Sequence, residues 1–515
     1  MTETPQPLLD ELRAHLPEAL WETVRARMAR LQWAELRVLA LEEKLRLRRI
    51  EKYGPGSEKL SSAQLELLEL EPGVNSAEVA AEAAREPPPV PDKVRRQRRA
   101  HPGRQTLPEH LERVVSVAAC ADAACADCGG AMGVIGHDES ERLDVKPAVY
   151  FVAVTRREKR ACARCAAGGV VMAELAPAII AKGLASDRIV IDTILAKYCD
   201  HNPLYRQSAM LERESGVEIS RATLDGWVMQ VGESLRPLAR EMGRELLRGD
   251  YIQADETPVA VQMHDGRGKN HQAYLWQYGR PGGGVVFDFR MGRGREGPKR
   301  FLGGFADILQ TDGYAAYDGV GGEGMVHAAC WSHARRKFFD AAKLNPDDRL
   351  AVAAVAAMDE LFALDRGAAQ LGLDVAQRHA LRQREAPACL RKIRAAVEAA
   401  RAMALPASVL GRAARYSLAL WPKLTRFLDH PVLELSNNLA ENSMRPLALG
   451  RKNWIHIGSE EAAPRIAAIL SVVESCRRLG LPLRDYLAAI LPGLPARTLP
   501  ELPQLTPAAW AARPR

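Results

Sequence analysis

Four of the nine cysteines are spaced as metal ligands. Cys125 and Cys128 form one CxxC pair, and Cys162 and Cys165 form a second pair after 33 intervening residues. Each pair suits a tight turn that presents two thiolates, and two such turns complete a tetrahedral zinc site. The alternating segment 148–158 between the pairs is typical of a zinc ribbon, and such a closed site would be structural rather than catalytic. A redox role for the two pairs is the alternative, but they lack a thioredoxin-like context.

Two acids in the second half of the chain lie on strand-like apolar segments. Asp255 lies within segment 251–262, and Asp312 lies within segment 306–318. An acid in an apolar strand loses hydration unless something compensates, and a bound metal ion is one common compensation. Neighbouring strand residues face opposite sides, so Asp255 and Glu256 cannot both face one site from a regular strand. The alternative for a single Asp is an ordinary turn residue.

The order of elements around these acids predicts how they meet. Segments 251–262, 272–279 and 284–290 read as strands, a helical stretch covers 297–304, and a further strand leads to Asp312. Three strands, a helix and another strand are the opening order of a ribonuclease-H-like fold. Acids on its first and fourth strands lie side by side, so Asp255 and Asp312 are the candidate pair.

A third acid, Glu441, stands in the stretch "NNLAENSMRPLALGRKNW" at 437–454. Four residues later comes Arg445, and such a pair stabilises a helix by ~0.3–0.5 kcal/mol. Pro446 should kink or end that helix, because its ring conflicts with the carbonyl of Asn442. Glu441 is therefore either an ordinary helix acid or a further ligand of the same site.

Seven ordered blocks resemble the insertion-sequence 66 family of bacterial transposases. The blocks are "YGPGSEKL", the four-cysteine segment, "KYCDHNPLYRQ", "QADETPV", "LQTDGYAAYD", "CWSHARRKF" and "NNLAENSMRPLALGRKNW". The chain departs from the family at His456, where an aromatic residue is usual two positions after the tryptophan. The resemblance implies a DDE transposase in which Asp255, Asp312 and Glu441 are catalytic. These carboxylates would hold two magnesium or manganese ions in a ribonuclease-H-like core.

The same resemblance implies the partners. A DDE transposase binds the terminal inverted repeats of its element, cleaves at the ends and joins the 3′-ends to target DNA. That task calls for a homodimer or larger synaptic assembly, and small accessory proteins of the element accompany the family. The expected setting is the bacterial cytoplasm at the nucleoid. No stretch approaches the ~18 apolar residues of a membrane span, and the acidic first thirty residues do not resemble a signal peptide.

Basic residues predict where DNA binds. The run "KVRRQRRAHPGR" at 93–104 has six Lys or Arg and no acid, so it is either a solvated tail or a phosphate-binding arm. In "CWSHARRKF", Cys330 and His333 could instead be half of a second zinc site, and Trp331, like Trp454, either stacks on a base or packs in the core. The predicted DNA contacts are Arg95, Arg96, Arg98, Arg99, Arg104, His333, Arg335, Arg336, Lys337, Arg445, Arg451 and Lys452.

Two helical regions suggest pairing and DNA recognition. Within 16–52, Leu31, Val38 and Leu45 recur every seven residues, which predicts either a coiled coil between chains or a helix packed on its own protein. Residues 202–230 read as two helices joined by a turn at Gly216, like a helix-turn-helix, although most short helical hairpins do not bind DNA.

Together these patterns predict a multidomain α+β protein with a ribonuclease-H-like core and an all-helical insertion. Two further readings stay open: an inactive, domesticated regulator that only binds DNA, and a nuclease without strand transfer. The expected parts are a coiled-coil region (1–71), a Pro-rich and basic linker (72–108), a zinc ribbon (109–180), a helix-turn-helix-like region (181–245), the core's first part (246–340), the insertion (341–430), the core's second part (431–482) and a tail (483–515).

Overall fold

The computed structural model describes residues 13, 17–53, 112–117, 130, 137, 142, 149–161, 170–266 and 268–513. The chain divides into two compact units, one of residues 1–90 with 155–515 and one of residues 91–154. In the smaller unit the described pieces have no regular secondary structure. The larger unit is a mixed α+β structure, which confirms the predicted class. No helix in the described ranges has the length and apolar character needed to cross a membrane.

A five-stranded mixed sheet lies at the centre of the larger unit. Its order is β5-β4-β3-β6-β7; β3, β4 and β5 are antiparallel neighbours, whereas β6 runs parallel to both β3 and β7. The first three predicted strands agree with these elements to within one residue, whereas the fourth, predicted over 306–318, covers only Ile308–Thr311 and ends one residue before Asp312. The bounds are β3 Tyr251–Val261, β4 His271–Gly279, β5 Val285–Arg290, β6 Ile308–Thr311 and β7 Val326–Ala329, with α5 Glu296–Leu302 between β5 and β6.

Three helices precede the sheet. They are α2 Asp187–Tyr198, α3 Leu204–Ser215 and α4 Arg221–Leu247. Gly216 ends α3 with a φ of 71°, and Ser220 caps α4 by accepting a hydrogen bond from the Thr223 amide. The helix–turn–helix pattern at 202–230 thus has its expected elements. However, α4 buries an apolar face, including Leu224, Val228 and Val231, in the core, and leaves its first turn and its opposite face exposed.

The stretch between β7 and Glu441 is helical and has a core of its own. Its members are α6 Trp331–Leu344, α7 Arg349–Gln370, α8 Val375–Met403, α9 Val409–Ala419 and α10 Trp421–Leu424. Their buried apolar residues form a second hydrophobic cluster that also takes in Tyr251 and Ile308 from the sheet. Trp331 is buried and donates its Nε1–H to the Leu424 carbonyl, so it packs in this core and is not available for stacking on a base.

Glu441 lies in the first turn of α11, Asn438–Trp454. The expectation that Pro446 ends this helix is wrong, because the helix runs eight residues past it; a kink at Pro446 stays a prediction. Helix α11 packs Met444 and Leu447 into the sheet's core, and this burial outweighs the lost hydrogen bond. Asn437 occupies the N-cap position, but its side chain makes no capping hydrogen bond. The remaining elements are α12 Ala463–Arg478, α13 Leu483–Ile490 and α14 Pro507–Ala511.

Two peripheral elements concern earlier predictions. Helix α1, Glu18–Tyr53, leaves Leu31, Val38 and Leu45 exposed, while Glu43 accepts a hydrogen bond from the Val409 amide. The antiparallel strands β1, Lys159–Ala161, and β2, Val170–Met172, flank the segment that contains Cys162 and Cys165. All four predicted zinc ligands lie outside the described residues, as do Arg95, Arg96, Arg98, Arg99 and Arg104.

The chain leaves α11 through a strained turn. Ile455 has φ 64° and ψ −55°, and the His456 amide donates to the Trp454 carbonyl at 2.7 Å, which closes a three-residue γ-turn. A β-branched residue seldom adopts this conformation. Two hydrogen bonds then join Ile457 to β3 at Ala260 and Gln262 and fix the turn from the far side.

At position 455 we expect the glycine variant to be more stable than the alanine variant, which is the reverse of the usual order. Its side chain is 67% exposed, so truncation loses little burial. Ile455→Gly removes the Cβ that opposes positive φ and should stabilise the chain by about 1 kcal/mol relative to Ile455→Ala. Scanning calorimetry of both full-length variants measures the difference. A lower melting temperature for the glycine variant would contradict the strain.

Candidate functional site

The sheet places Asp255 and Asp312 at matching positions on adjacent strands. Strands β3 and β6 pair in parallel as far as Gln253 and Gln310, which are register partners. Each acid follows its glutamine by two residues, at the point where the pairing ends. The two acids therefore lie next to each other just beyond the last contact between β3 and β6, at the carboxyl end of β6, while Asp255 stays paired with Gln277 of β4.

Glu441 reaches this end of the sheet because the segment before α11 is held residue by residue. In this pre-helix segment, residues 433–437, every residue has a backbone hydrogen bond to another element. Arg382 Nη1 donates to the Leu433 carbonyl, and the Trp331 amide donates to the Leu435 carbonyl. Gln310 donates to the Glu434 carbonyl, Gln253 to the Ser436 carbonyl, and the Asn437 amide to Cys330 Sγ, at 2.7, 3.0 and 3.4 Å respectively.

Three carboxylates share one electrostatic environment at this end of the sheet. Burial, followed by Glu441, Glu256 and Asp312, raises the pKa of Asp255 well above its ordinary value, and His333 opposes the shift. The carboxylates therefore repel one another, and a cation between them would relieve the repulsion. Oxygen donors of this kind fit magnesium or manganese. In the described ranges no group of three or more His, Cys, Asp or Glu is already arranged as a metal site, so the carboxylates would have to close on an ion.

Two cationic side chains from α6 face Glu441. His333 Nδ1 is 3.5 Å from Glu441 Oε1, and Arg336 Nη2 is 3.9 Å from Oε2. Burial opposes protonation of His333, but Cys330, Glu441 and Asp312 outweigh it and raise the pKa of His333 to about 10. His333 is thus a cation at neutral pH.

The turn after β6 fixes Asp312. Its Oδ1 accepts the Tyr314 amide at 2.8 Å, and its carbonyl accepts the Tyr416 hydroxyl. Gly313 has φ 90°, and a Cβ there would lie 2.3 Å from Leu420 Cδ1. Only glycine fits this position without displacing Leu420, which explains the Asp-Gly pair in the sequence.

A second acid on β3 has a different partner. The Glu256 side chain is only 2% exposed; Arg293 donates to its Oε1 from Nε at 2.9 Å and from Nη2 at 2.6 Å. The Tyr317 hydroxyl donates to its Oε2 at 2.9 Å. Sequence reasoning set Glu256 aside by strand alternation and missed Arg293. The only available signal was the Arg-rich loop 291–295, which stands far from the acids in sequence.

The residues of α6 that were predicted to contact DNA lie in different environments. His333 and Arg336 lie beside Glu441, as described. Arg335 is a correction: it is 4% exposed and forms an ion pair with Asp359, 2.7 Å from Nε to Oδ1, so it stabilises the helical core and does not face DNA. Lys337 lies 4.4 Å from the Tyr416 ring centroid.

The basic residues of α11 also differ from one another. Arg451 Nη1 donates to Thr257 Oγ1 at 2.7 Å and to the Pro258 carbonyl, so it joins α11 to β3. Arg445 is partly buried, and Lys452 is exposed. Cys330 is buried against Asn437, and the described residues supply no ligand set for a second zinc with His333.

Comparison with protein families assigns the class. A model described as "Transposase IS66 family" matches residues 182–465, which contain the sheet, the three acids and the helical insertion. A model for the "zinc-finger binding domain of transposase IS66" matches 122–166, which contain all four predicted zinc ligands. A third, "Transposase C of IS166 homeodomain", matches 40–115. The chain belongs to the IS66 family of transposases, which confirms the resemblance.

Three proteins of Sinorhizobium fredii are similar over most of their length. Uncharacterized protein y4qI is 35% identical over 76% of this chain and 75% of its own. Uncharacterized protein y4hP is 30% identical over 92% of this chain and 89% of its own. Uncharacterized protein y4jD is 31% identical over 79% of this chain and 82% of its own.

The crowded carboxylates predict a stability effect that depends on pH. Because folding raises the pKa of Asp255, the folded chain binds more protons than the unfolded chain between about pH 3.9 and the raised value. The stability of the metal-free protein falls as pH rises through this window and stays lower above it. Asp255→Asn should therefore raise the melting temperature of the metal-free chain at neutral pH, and this gain should vanish below the window.

Asp318 supplies the control of opposite sign. Burial raises its pKa, but Lys423 and His327 outweigh this effect and lower it. Asp318→Asn should lower the melting temperature at neutral pH. A stability loss in Asp255→Asn at neutral pH would show that the three carboxylates do not repel one another.

Proposed function

We propose that the chain is an active DDE transposase. It would bind the terminal inverted repeats of its element, cleave phosphodiesters at the element's ends and join the 3′-ends to target DNA. The observation that carries this proposal is the proximity of Asp255 to Glu441 and Asp312: burial, followed by Glu441, Glu256 and Asp312, raises the pKa of Asp255. An acid set of this kind is costly for folding, and a metal-dependent reaction accounts for it.

The sheet supports a ribonuclease-H-like core. Three antiparallel strands followed, after a helix, by two parallel ones give the order β5-β4-β3-β6-β7; Asp255 lies on β3, and Asp312 directly follows β6, the parallel neighbour of β3. In this reading α11 brings the third acid, and α6 to α10 form the insertion between the second and third acids.

The three carboxylates would hold two magnesium or manganese ions. Bound there, the ions would activate a water or 3′-hydroxyl nucleophile and stabilise the charge on the phosphate and the leaving oxygen. The chain's own side chains do the rest. His333 and Arg336 balance the charge of Glu441 and face the place where a phosphate would lie, and the Tyr314 amide orients Asp312.

The remaining parts are assigned to DNA and partner binding. The basic run 93–104 would bind phosphates, the four-cysteine region would be a zinc ribbon, and the open first turn of α4 could contact DNA. The exposed Leu31, Val38 and Leu45 of α1 suit pairing of two chains in a dimer or larger synaptic assembly. The protein would act at the bacterial nucleoid, with accessory proteins of the same element.

Amide substitutions of the acids test the catalytic assignment. Asp255→Asn and Glu441→Gln should each reduce cleavage of paired element ends in magnesium by more than about 100-fold, since losing even an indirect metal partner costs 10–100-fold. DNA binding should persist, as measured by gel shift. Glu360→Gln is the control, because Glu360 is an exposed acid paired with Lys392 on the insertion.

The same assay separates the competing functions. Binding without cleavage by the wild type would indicate a DNA-binding regulator, and cleavage without joining would indicate a nuclease. If both amide variants retained cleavage, the assignment of these acids to the active site would be wrong.

Metal content tests the zinc ribbon. Native mass spectrometry of the full chain should show one zinc per chain, and Cys162→Ser should lose it, because three remaining ligands leave the tetrahedral site incomplete. Cys389→Ser is the matched control, since Cys389 is a free cysteine on α8. Retention of zinc by Cys162→Ser would contradict the assignment.

A further inference from the structure

Arg293 stands at the same end of the sheet as the three acids. It lies in the loop 291–295, between β5 and α5, and forms an ion pair with Glu256, the residue next to Asp255. Glu256 shares the electrostatic environment of both aspartates: its charge contributes to the raised pKa of Asp255, and burial and the charge of Asp312 raise the pKa of Glu256. Arg293 is therefore a cation in the electrostatic environment of the proposed active site.

Arg293 is also joined to the turn that holds Asp312. The Tyr314 hydroxyl donates to the Arg293 carbonyl at 3.0 Å, and the Tyr314 ring centroid lies 4.2 Å from the guanidinium carbon. The Tyr314 amide donates to Asp312 Oδ1. One tyrosine thus fixes the arginine loop and the second acid together. This arrangement limits the rotamers of Arg293 and lowers the entropy that binding would cost.

Only two of the three guanidinium nitrogens of Arg293 donate hydrogen bonds to described residues. Nε and Nη2 both donate to a single oxygen, Glu256 Oε1, and Nη1 has no hydrogen bond to any residue that the structure describes. The side chain is 47% exposed. Structural arginines of this chain are different: the side chains of Arg382 and Arg335 are 0% and 5% exposed, and each forms a two-nitrogen pair with an aspartate.

We propose that Arg293 binds a non-bridging phosphate oxygen of the DNA strand that enters the active site. This proposal rests on the proposed function, since it takes DNA as the substrate, and it adds a binding residue that the motifs do not contain. The open nitrogen of a fixed guanidinium fits a phosphate oxygen. Glu256 acts as a positioning residue, which holds Arg293 in place and balances its charge before DNA arrives.

The salt dependence of binding tests the contact. The full-length chain is titrated with a duplex from the end of its element, without divalent ions so that no cleavage occurs. Arg293→Gln should weaken binding about tenfold and reduce the slope of log affinity against log salt by about one. Glu256→Gln loosens the position of Arg293 but leaves the guanidinium charge, so it should weaken binding less than Arg293→Gln does, and its slope should stay close to that of the wild type.

Arg497→Gln is the matched control. Arg497 is 53% exposed and pairs with Glu501 at 3.0 Å, so its loss removes the same charge and a similar ion pair from another surface. Its slope should equal that of the wild type. A slope reduced equally in Arg497→Gln and Arg293→Gln would mean that net charge, and not a contact, is responsible, and would overturn the proposal.

Replacing single phosphates by neutral analogues locates the phosphate that Arg293 contacts. Single methylphosphonates are scanned through the cleavage region of the duplex. At one position, the neutral group should weaken binding by the wild type but not by Arg293→Gln. If every position affects both proteins alike, and Arg293→Gln melts lower by the same amount as Glu256→Gln, then Arg293 is structural and the proposal fails.

The outcome is separable from that of the proposed function. Asp255→Asn should keep the wild-type salt slope while losing cleavage. If the Arg293 prediction fails, the loss of cleavage in Asp255→Asn still supports the catalytic assignment. If Asp255→Asn retains cleavage, the salt slope of Arg293→Gln still tests the phosphate contact.

Discussion

The site depends on five consecutive backbone groups that are held from outside. Residues 433–437 form no helix or strand, yet each has a hydrogen bond to the sheet, to the start of α6 or to α8. Two of the donors are buried glutamines, Gln253 and Gln310, each two residues before a candidate acid. The side chains that fix the third acid thus come from the strands that carry the first two. Because unpaired buried amides are costly, the three acids take up their places together or not at all.

The strands were predictable because alternation and apolar runs are local signals. The sheet segments 251–262, 272–279 and 284–290, and the side-by-side position of Asp255 and Asp312, all follow from such signals together with the order of the elements. Glu441 needed the family resemblance, since a helix acid followed by an arginine has a common local explanation. The burial of Arg335 and the continuation of α11 through Pro446 were not predictable, because both depend on tertiary packing against residues distant in sequence.

The sequence motifs do not contain Arg293, the cation that pairs with Glu256 next to the candidate acids. Strand alternation set Glu256 aside from the predicted site, and it could not show that Arg293 returns from another loop to pair with Glu256. Four acids and three cations, His333, Arg336 and Arg293, therefore meet near one end of the sheet. The cations lie on two elements, the 291–295 loop before Asp312 in sequence and α6 after it. Such a balance limits repulsion in the metal-free state without filling the space between the carboxylates.

The contacts of α8 determine where the chain can change length. Arg382 pairs with Asp365 and holds the Leu433 carbonyl, while Arg378 pairs with Glu434 at 2.8 Å. The insertion therefore supports α11, the helix that carries Glu441, and is not a detachable module. Additions or deletions near 430–437 would shift Glu441 directly. The turn at 371–373, with exposed Leu371 and Gly372 at φ 64°, lies at the far end of the α7–α8 hairpin. A label inserted at this turn should therefore leave the three acids in place.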